Sequence, residues 1–164
     1  MTGEQIGILI GVIAGGGWAV AGASALEGRA RVIAVLGSLG LTVLLGLVTA
    51  DLPSAAMTGR FDGGIYGIAV TAETIAILGA VALLRRSARQ DWLPPVIAVI
   101  VGLHFLGLWR ATGSLVFVAL AAGLCAVGIA GSLVPAPRRL LVVGFGCAAA
   151  LWAAAAVTVG SASR

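Results

Sequence analysis

The chain has 164 residues, of which 60% are hydrophobic and 10% are charged, and its mean hydropathy is +1.14. An ordinary soluble domain carries about 25% charged residues, so this composition excludes a water-soluble fold. The net charge of +4 comes from ten arginines and no lysine. These arginines lie near the ends of apolar segments and are not clustered with aromatic residues, which argues against a nucleic-acid partner. The predicted environment is therefore the lipid bilayer.

Six apolar segments, each about 20 residues long, fill most of the chain. The links between them are short and polar, apart from a longer one between the second and third segments. Short links favour antiparallel packing of consecutive helices. The sequence therefore predicts a single all-α transmembrane domain over residues 1–164. It is a polytopic bundle of six transmembrane helices at approximately 6–26, 32–50, 65–84, 93–109, 115–134 and 140–160.

The positions of the arginines predict how the chain is oriented in the membrane. Short loops rich in arginine are retained on the cytoplasmic side. Seven arginines fall in the first, third and fifth links, and three fall on the opposite side, namely Arg60, Arg110 and Arg164. We therefore expect a multi-pass protein of the plasma membrane with both termini outside.

The first segment carries a stripe of small residues at every fourth position. Such residues share one helix face, where another helix can approach until backbone atoms touch. The stripe therefore predicts a packing face, which meets either a helix of the same chain or a second subunit of a homodimer or larger homo-oligomer. A weaker stripe in the sixth segment, which includes Gly144, is interrupted by Trp152. The members of the first stripe are Gly3, Gly7, Gly11, Gly15, Ala19 and Ala23.

The longest link and the next link on the same side bring charged residues together at the predicted outer surface. The link over residues 51–64 is rich in turn-forming residues and is able to fold across the mouth of a cavity. The alternative is an ordinary solvated loop with local ion pairs, which contribute little to stability. The charged residues of this predicted outer mouth are Asp51, Arg60, Asp62 and Arg110.

Glu73 and His104 are the predicted functional residues, because an ionisable group inside the bilayer costs several kcal/mol unless it is paired, neutral or hydrated. At 1.5 Å per residue, Glu73 lies about 12 Å and His104 about 9 Å below the outer surface. Their segments are predicted neighbours, so the two side chains can meet and form a proton relay. The alternative is a neutral Glu73 hydrogen-bonded to Thr71, Thr74 or a carbonyl, with His104 tying two helices together.

The fourth segment contains the run Gly102-Leu103-His104-Phe105, which continues to Trp109-Arg110. This run resembles a segment of uncharacterised bacterial multi-pass membrane proteins. The resemblance implies a six-helix protein of a bacterial inner membrane and implies no function.

The sequence contains no recognisable catalytic constellation, metal-ligand cluster or cofactor motif. Cys125 and Cys147 fall inside apolar segments, where a cysteine usually serves as a small packing residue. The sequence therefore predicts a transporter or channel for a small solute or ion, with the Glu73–His104 pair as its protonatable site. Two alternatives remain at this stage: an accessory or scaffold membrane protein without transport activity, and an intramembrane enzyme that acts on a lipid-soluble substrate.

Overall fold

A computed structural model describes the backbone of residues 3–50 and 61–162 and the side chains of residues 7–50 and 61–160. Within these ranges the chain forms six α-helices and no β-strand, as predicted. A short 3-10 helix, Gln90–Trp92, precedes the fourth α-helix. The α-helices are α1 (Gly3–Ala23), α2 (Gly28–Ala50), α3 (Gly63–Arg86), α4 (Leu93–Thr112), α5 (Val116–Leu133) and α6 (Ala136–Ala162).

The helix ends differ from the predicted spans by a few residues, for local reasons. Helix α1 ends at Ala23, three residues before the predicted boundary, and the side chain of Arg31 donates hydrogen bonds to the carbonyls of Ser24 (2.9 Å) and Leu26 (2.8 Å). These bonds hold the turn between α1 and α2, whose backbone lies outside both helices. Helix α4 carries proline in its first turn, where the missing N–H costs little.

The principal neighbours of the helices follow the order α2, α1, α6, α5, α4, α3. Four of the five links therefore join helices that pack against each other, as their short length predicts. The longest link joins α2 and α3, which lie at opposite ends of this row. Helix α3 packs on α4 and on the 3-10 helix, and no residue of α3 is buried.

Glycine allows the closest contacts between helices. A Cβ on Gly144 of α6 would lie 2.5 Å from Cα of Gly22 in α1, so these two backbones are in direct contact. A Cβ on Gly102 of α4 would lie 3.0 Å from the backbone nitrogen of Cys125 in α5. This packing is characteristic of membrane helices, which associate through van der Waals contact because lipid supplies no hydrophobic driving force.

The largest buried cluster lies among α4, α5 and α6, with α1 packed on its side. Its members are Ala98, Phe105, Leu108, Phe117, Leu120, Ala121, Leu124, Val143, Cys147 and Leu151. Both cysteines are free. Cys147 is fully buried in the cluster, whereas Cys125 is partly exposed between α4 and α5. Both cysteines therefore sit in packed helix contacts.

Five helices, α2 to α6, are long and apolar enough to cross a membrane, and α1 has a shorter apolar segment at Gly7–Ala23. Large aliphatic side chains of α2 and α3 remain uncovered by protein, including Ile33, Leu47, Ile68 and Leu78. A soluble protein rarely exposes so much contiguous apolar surface, whereas lipid covers it without cost. The chain is therefore an all-α, multi-pass membrane protein.

Candidate functional site

The contact between α3 and α4 is formed by a stripe of α3 that faces small residues of α4. Tyr66, Ala69 and Glu73 lie three or four residues apart and so share one face of α3. A Cβ on Gly107 of α4 would overlap the side chain of Ala69. The Ala69–Gly107 contact therefore brings the helices close together, one turn from Glu73 on α3 and one turn from His104 on α4.

Glu73 and His104 meet at this interface. Oε2 of Glu73 lies 3.3 Å from Nδ1 of His104, within the range of an ion pair. The side chain of His104 is 9% exposed and that of Glu73 is 20% exposed. The two atoms are close, but they are not aligned for a hydrogen bond, and the buried Nδ1 has no hydrogen-bond partner among the described residues. A buried polar atom without a hydrogen-bond partner is uncommon in proteins.

The predicted similar depth of the two residues follows from the helix bounds. At 1.5 Å per residue, Glu73 is about 15 Å from the start of α3 and His104 is about 12 Å from the end of α4. The hydroxyls of Thr71 and Thr74 donate to the carbonyls of their own helix, at 2.8 Å in each case. Their donor hydrogens are therefore not directed at Glu73, whose close polar neighbour is His104.

The Glu73–His104 pair lines a cavity of about 100 Å³ among α1, α3, α4 and α6. Two members of the small-residue stripe of α1, Gly7 and Gly11, form part of its wall. Tyr66 adds a ring whose centre lies 6.2 Å from that of His104, in an edge-on arrangement. The lining residues are Gly7, Ile10, Gly11, Ala14, Tyr66, Glu73, Val101, His104, Phe105, Leu108 and Leu151.

The wall of the cavity is mostly apolar and carries two ionisable side chains. Glu73, His104 and Tyr66 supply its polar atoms, and every other lining residue is aliphatic, glycine or phenylalanine. No arginine of the described ranges lines it. The described residues contain no group of three or more histidine, cysteine, aspartate or glutamate side chains that could hold a metal ion. The site can therefore hold or release a proton next to a small, mostly apolar ligand.

Among the predicted outer-mouth residues, Asp51 and Arg60 lie outside the described part of the structure. Asp62 caps α3, because its carboxylate accepts hydrogen bonds from the backbone N–H groups of Gly64 (2.9 Å) and Ile65 (3.1 Å). Its own N–H donates to the carbonyl of Ala111 in α4, at 2.9 Å. Arg110 lies beside the ring of Trp109, and no ion pair joins it to Asp62 within the described ranges. The sequence signal for this cap is an aspartate directly before the first helical residue.

The small-residue stripe of α1 lies against other helices of the same chain. Ala19 and Ala23 are fully buried, and a Cβ on Gly15 would lie 2.7 Å from Nε1 of Trp152 in α6. That nitrogen donates to the carbonyl of Val12 at 3.3 Å. Trp152 therefore fills the space that Gly15 leaves open and joins α1 to α6. The surroundings of Gly3 lie outside the described side chains.

Sequence analysis missed a cluster at the arginine-rich end of the bundle. Arg139, at the start of α6, forms an ion pair with Asp91 of the 3-10 helix, and its guanidinium lies 4.1 Å from the centre of the Trp92 ring. Its Nε also donates to the carbonyl of Val134 at 3.0 Å. The sequence signal for this contact is the pair Asp91-Trp92, which lies on the same predicted side of the membrane as Arg139. The cluster ties the link before α4 to the start of α6.

Comparison with known proteins finds no relative of this chain. No protein-family model matches it, and no curated protein or solved structure matches it. The fold and the Glu73–His104 pair therefore define its class: a six-helix membrane protein with a partly buried ionisable pair between two of its helices.

Proposed function

We propose that the protein is a proton-coupled transporter of a small solute, and that Glu73 and His104 carry the coupling proton. One observation carries this proposal. The carboxylate and the imidazole lie 3.3 Å apart on the wall of a cavity, well inside the membrane-spanning helices. Ionisable groups at such depth are expensive and are a frequent mark of solute pathways and proton relays.

The chemistry of the pair suits coupling. In an apolar site a carboxylate and an imidazole share a proton, so the ion-pair form competes with two neutral groups. Protonation then belongs to the pair and not to either residue. A ligand that enters the cavity interacts differently with the two forms and therefore changes the number of protons that the pair holds. Such a change is what links solute movement to proton movement.

The position of α3 supports a conformational step. Glu73 lies on α3, whose contacts are with α4 and the 3-10 helix, whereas His104 lies on α4, which packs into the buried cluster. A shift of α3 relative to α4 would separate the carboxylate from the imidazole and open the cavity between α1 and α3. In this proposal the position of α3 determines the proton affinity of the pair, and transport by alternating access requires two such positions.

An accessory or scaffold role is the second candidate, and the same helix favours it. No residue of α3 is buried, and the Glu73–His104 and Ala69–Gly107 contacts are among those that hold α3 to α4. In an accessory or scaffold role, the pair holds α3 against α4 and takes no part in solute movement. The two candidates differ in whether loss of the pair abolishes a flux or only lowers stability.

Flux across a membrane separates these two candidates. Proteoliposomes with an imposed pH gradient are exposed to small inorganic cations, amines and organic acids in turn, and dissipation of the gradient is recorded. If the protein is a transporter, at least one solute is expected to accelerate dissipation of the pH gradient with wild-type protein. Glu73→Gln is expected to abolish that acceleration, while the matched control Glu27→Gln, which changes an exposed acid outside the cavity, retains it. Absence of flux with every solute, together with a destabilised Glu73→Gln variant, would favour the scaffold role.

A further inference from the structure

We propose that the solute is a small lipophilic amine, which binds as its ammonium ion between Glu73 and the aromatic rings of the cavity. This inference rests on the proposed transport function and names the class of its substrate. It is carried by the chemistry of the lining, by the 3.3 Å contact between Glu73 and His104 and by the position of the cavity between α1 and α3.

The charge of the lining selects a cation. Among the residues that the structure describes, Glu73 is the one carboxylate that lines the cavity, and no arginine does. An anionic ligand would face Glu73 with no fixed cation to hold it, whereas an ammonium ion gains a charge-assisted hydrogen bond. Tyr66 and Phe105 also line the cavity, and aromatic rings attract cations that lie over their faces within about 6 Å of the ring centre.

His104 supplies the coupling. When the cavity has no amine, a protonated imidazole can neutralise the carboxylate across the 3.3 Å contact. An ammonium ion that takes up this carboxylate leaves the imidazolium without its counter-charge, and two cations beside a single carboxylate repel each other. The imidazole therefore loses one proton to the solvent as one ammonium ion binds, so charge is conserved and the exchange is one proton for one amine.

The size and the wall of the cavity select a small, partly apolar amine. An apolar cavity of about 150 Å³ in another protein binds benzene, which sets the scale for a space of this kind. The cavity here is about 100 Å³ and is lined mostly by aliphatic groups, glycine and phenylalanine. An amine with one ring or a short alkyl chain therefore matches its volume and its apolar wall.

The route into the cavity is through the membrane-facing side of the bundle. Helices α1 and α3 both line the cavity, yet they are not principal neighbours of each other. Glu73 retains 20% exposure, and Ile10, which lies on the wall contributed by α1, is also exposed. A lipophilic amine that has partitioned into the bilayer therefore reaches Glu73 between these two helices.

Two natural single-site probes report binding directly. His104 is the one histidine of the sequence and Tyr66 is its one tyrosine, and both line the cavity. Protein carrying ¹⁵N-histidine and ¹³C-tyrosine, purified without a histidine tag and placed in lipid nanodiscs, gives NMR signals from a single imidazole and a single phenol ring. Benzylamine is the probe, and benzyl alcohol and benzoate are its neutral and anionic controls of nearly the same shape.

Benzylamine is expected to shift both signals in a saturable manner and to move the imidazole towards its neutral form, whereas neither control does so at equal concentration in the membrane. Glu73→Gln is expected to weaken benzylamine binding by at least about tenfold, because the charge-assisted bond is lost. Tyr66→Leu, which leaves the Glu73–His104 pair in place, is expected to weaken it about threefold or more through loss of the ring face. Binding of benzoate as strong as that of benzylamine, or benzylamine binding unaffected by both substitutions, would overturn the proposal.

Failure of this inference can be told apart from failure of the proposed function. Suppose that the protein does not respond to benzylamine but moves another solute, and that Glu73→Gln abolishes this flux. That result would refute an amine as the substrate and would support the proposed transport function. If benzylamine bound saturably but drove no dissipation of a pH gradient, the result would support an amine-binding site and would refute the proposed transport function. Wild-type protein that shows both binding and flux supports the two together.

Discussion

Replacing Glu73 and His104 with glutamine, singly and together, is expected to produce losses of stability that do not add. Opposite unit charges 3.3 Å apart attract by about 5 kcal/mol at an effective dielectric constant of about 20. Most of this attraction is offset by the cost of removing both charges from water. Polar contacts between membrane helices give coupling free energies of about 0.6 kcal/mol on average and about 1.7 kcal/mol at most. We therefore expect a coupling free energy of about 1–1.7 kcal/mol, in the upper part of this range, because the contact joins two ionisable groups.

The coupling is measured as a double-mutant cycle on the free energy of unfolding, by titration of mixed micelles with SDS and detection of tryptophan fluorescence. A matched control cycle combines His104→Gln with Thr71→Val, because the Thr71 hydroxyl bonds to its own helix. The control pair is expected to add within about 0.5 kcal/mol, as independent sites do. If the stability losses of Glu73→Gln and His104→Gln also added within that margin, the contact would contribute no measurable coupling free energy. The reasoning from the 3.3 Å distance would then be refuted.

The remaining predictions concern packing, the arginine-rich end and orientation. Gly144→Ala is expected to destabilise the protein by about 1–3 kcal/mol through overpacking, because its Cβ would lie 2.5 Å from the backbone of α1. Gly79→Ala, whose Cβ meets open space, should change stability by less than about 0.5 kcal/mol, and equal effects in SDS unfolding would contradict the α1–α6 contact. Arg139→Gln should free the link before α4, seen as faster proteolysis there; unchanged cleavage would argue against the ion pair. In a background without the native cysteines, a cysteine at Ser163 should react with an impermeant reagent from outside and one at Ser87 should not, whereas the reverse pattern would invert the orientation.

The candidate site could be predicted in part. Glu73 and His104 stand out because they are ionisable groups within apolar segments, and helix rise alone gives them similar depths. The contact itself depends on Ala69 and Gly107, which set the distance between α3 and α4 and cannot be singled out among the many small residues of the chain. The participation of Gly7 in the cavity was also not predictable, because the stripe on α1 indicates close packing and not an open space.

The helix cap at Asp62 and the Trp152–Gly15 contact also show which features a single sequence segment reveals and which it does not. Asp62, a predicted outer-mouth residue, caps α3, a role that its position directly before the helix could have indicated. Trp152 interrupts the small-residue pattern of α6, yet its indole packs against Gly15 of α1. A large residue facing a glycine on another helix is a complementary contact that neither segment reveals on its own, because each pattern is read along a single helix.

The sequence by itself determined that this protein is all-helical and crosses the membrane several times. Both properties are local, because an apolar segment of about 20 residues must satisfy its backbone hydrogen bonds internally and does so as a helix. The tertiary structure alone decided which helices are neighbours, that α3 stays at the edge of the bundle, and that a cavity opens beside Glu73 and His104. Segments that are apolar on all sides carry no polar face to fix their rotation in lipid. Their orientation is therefore set by contacts between glycine and its partners on other helices, which exist only once the bundle has formed.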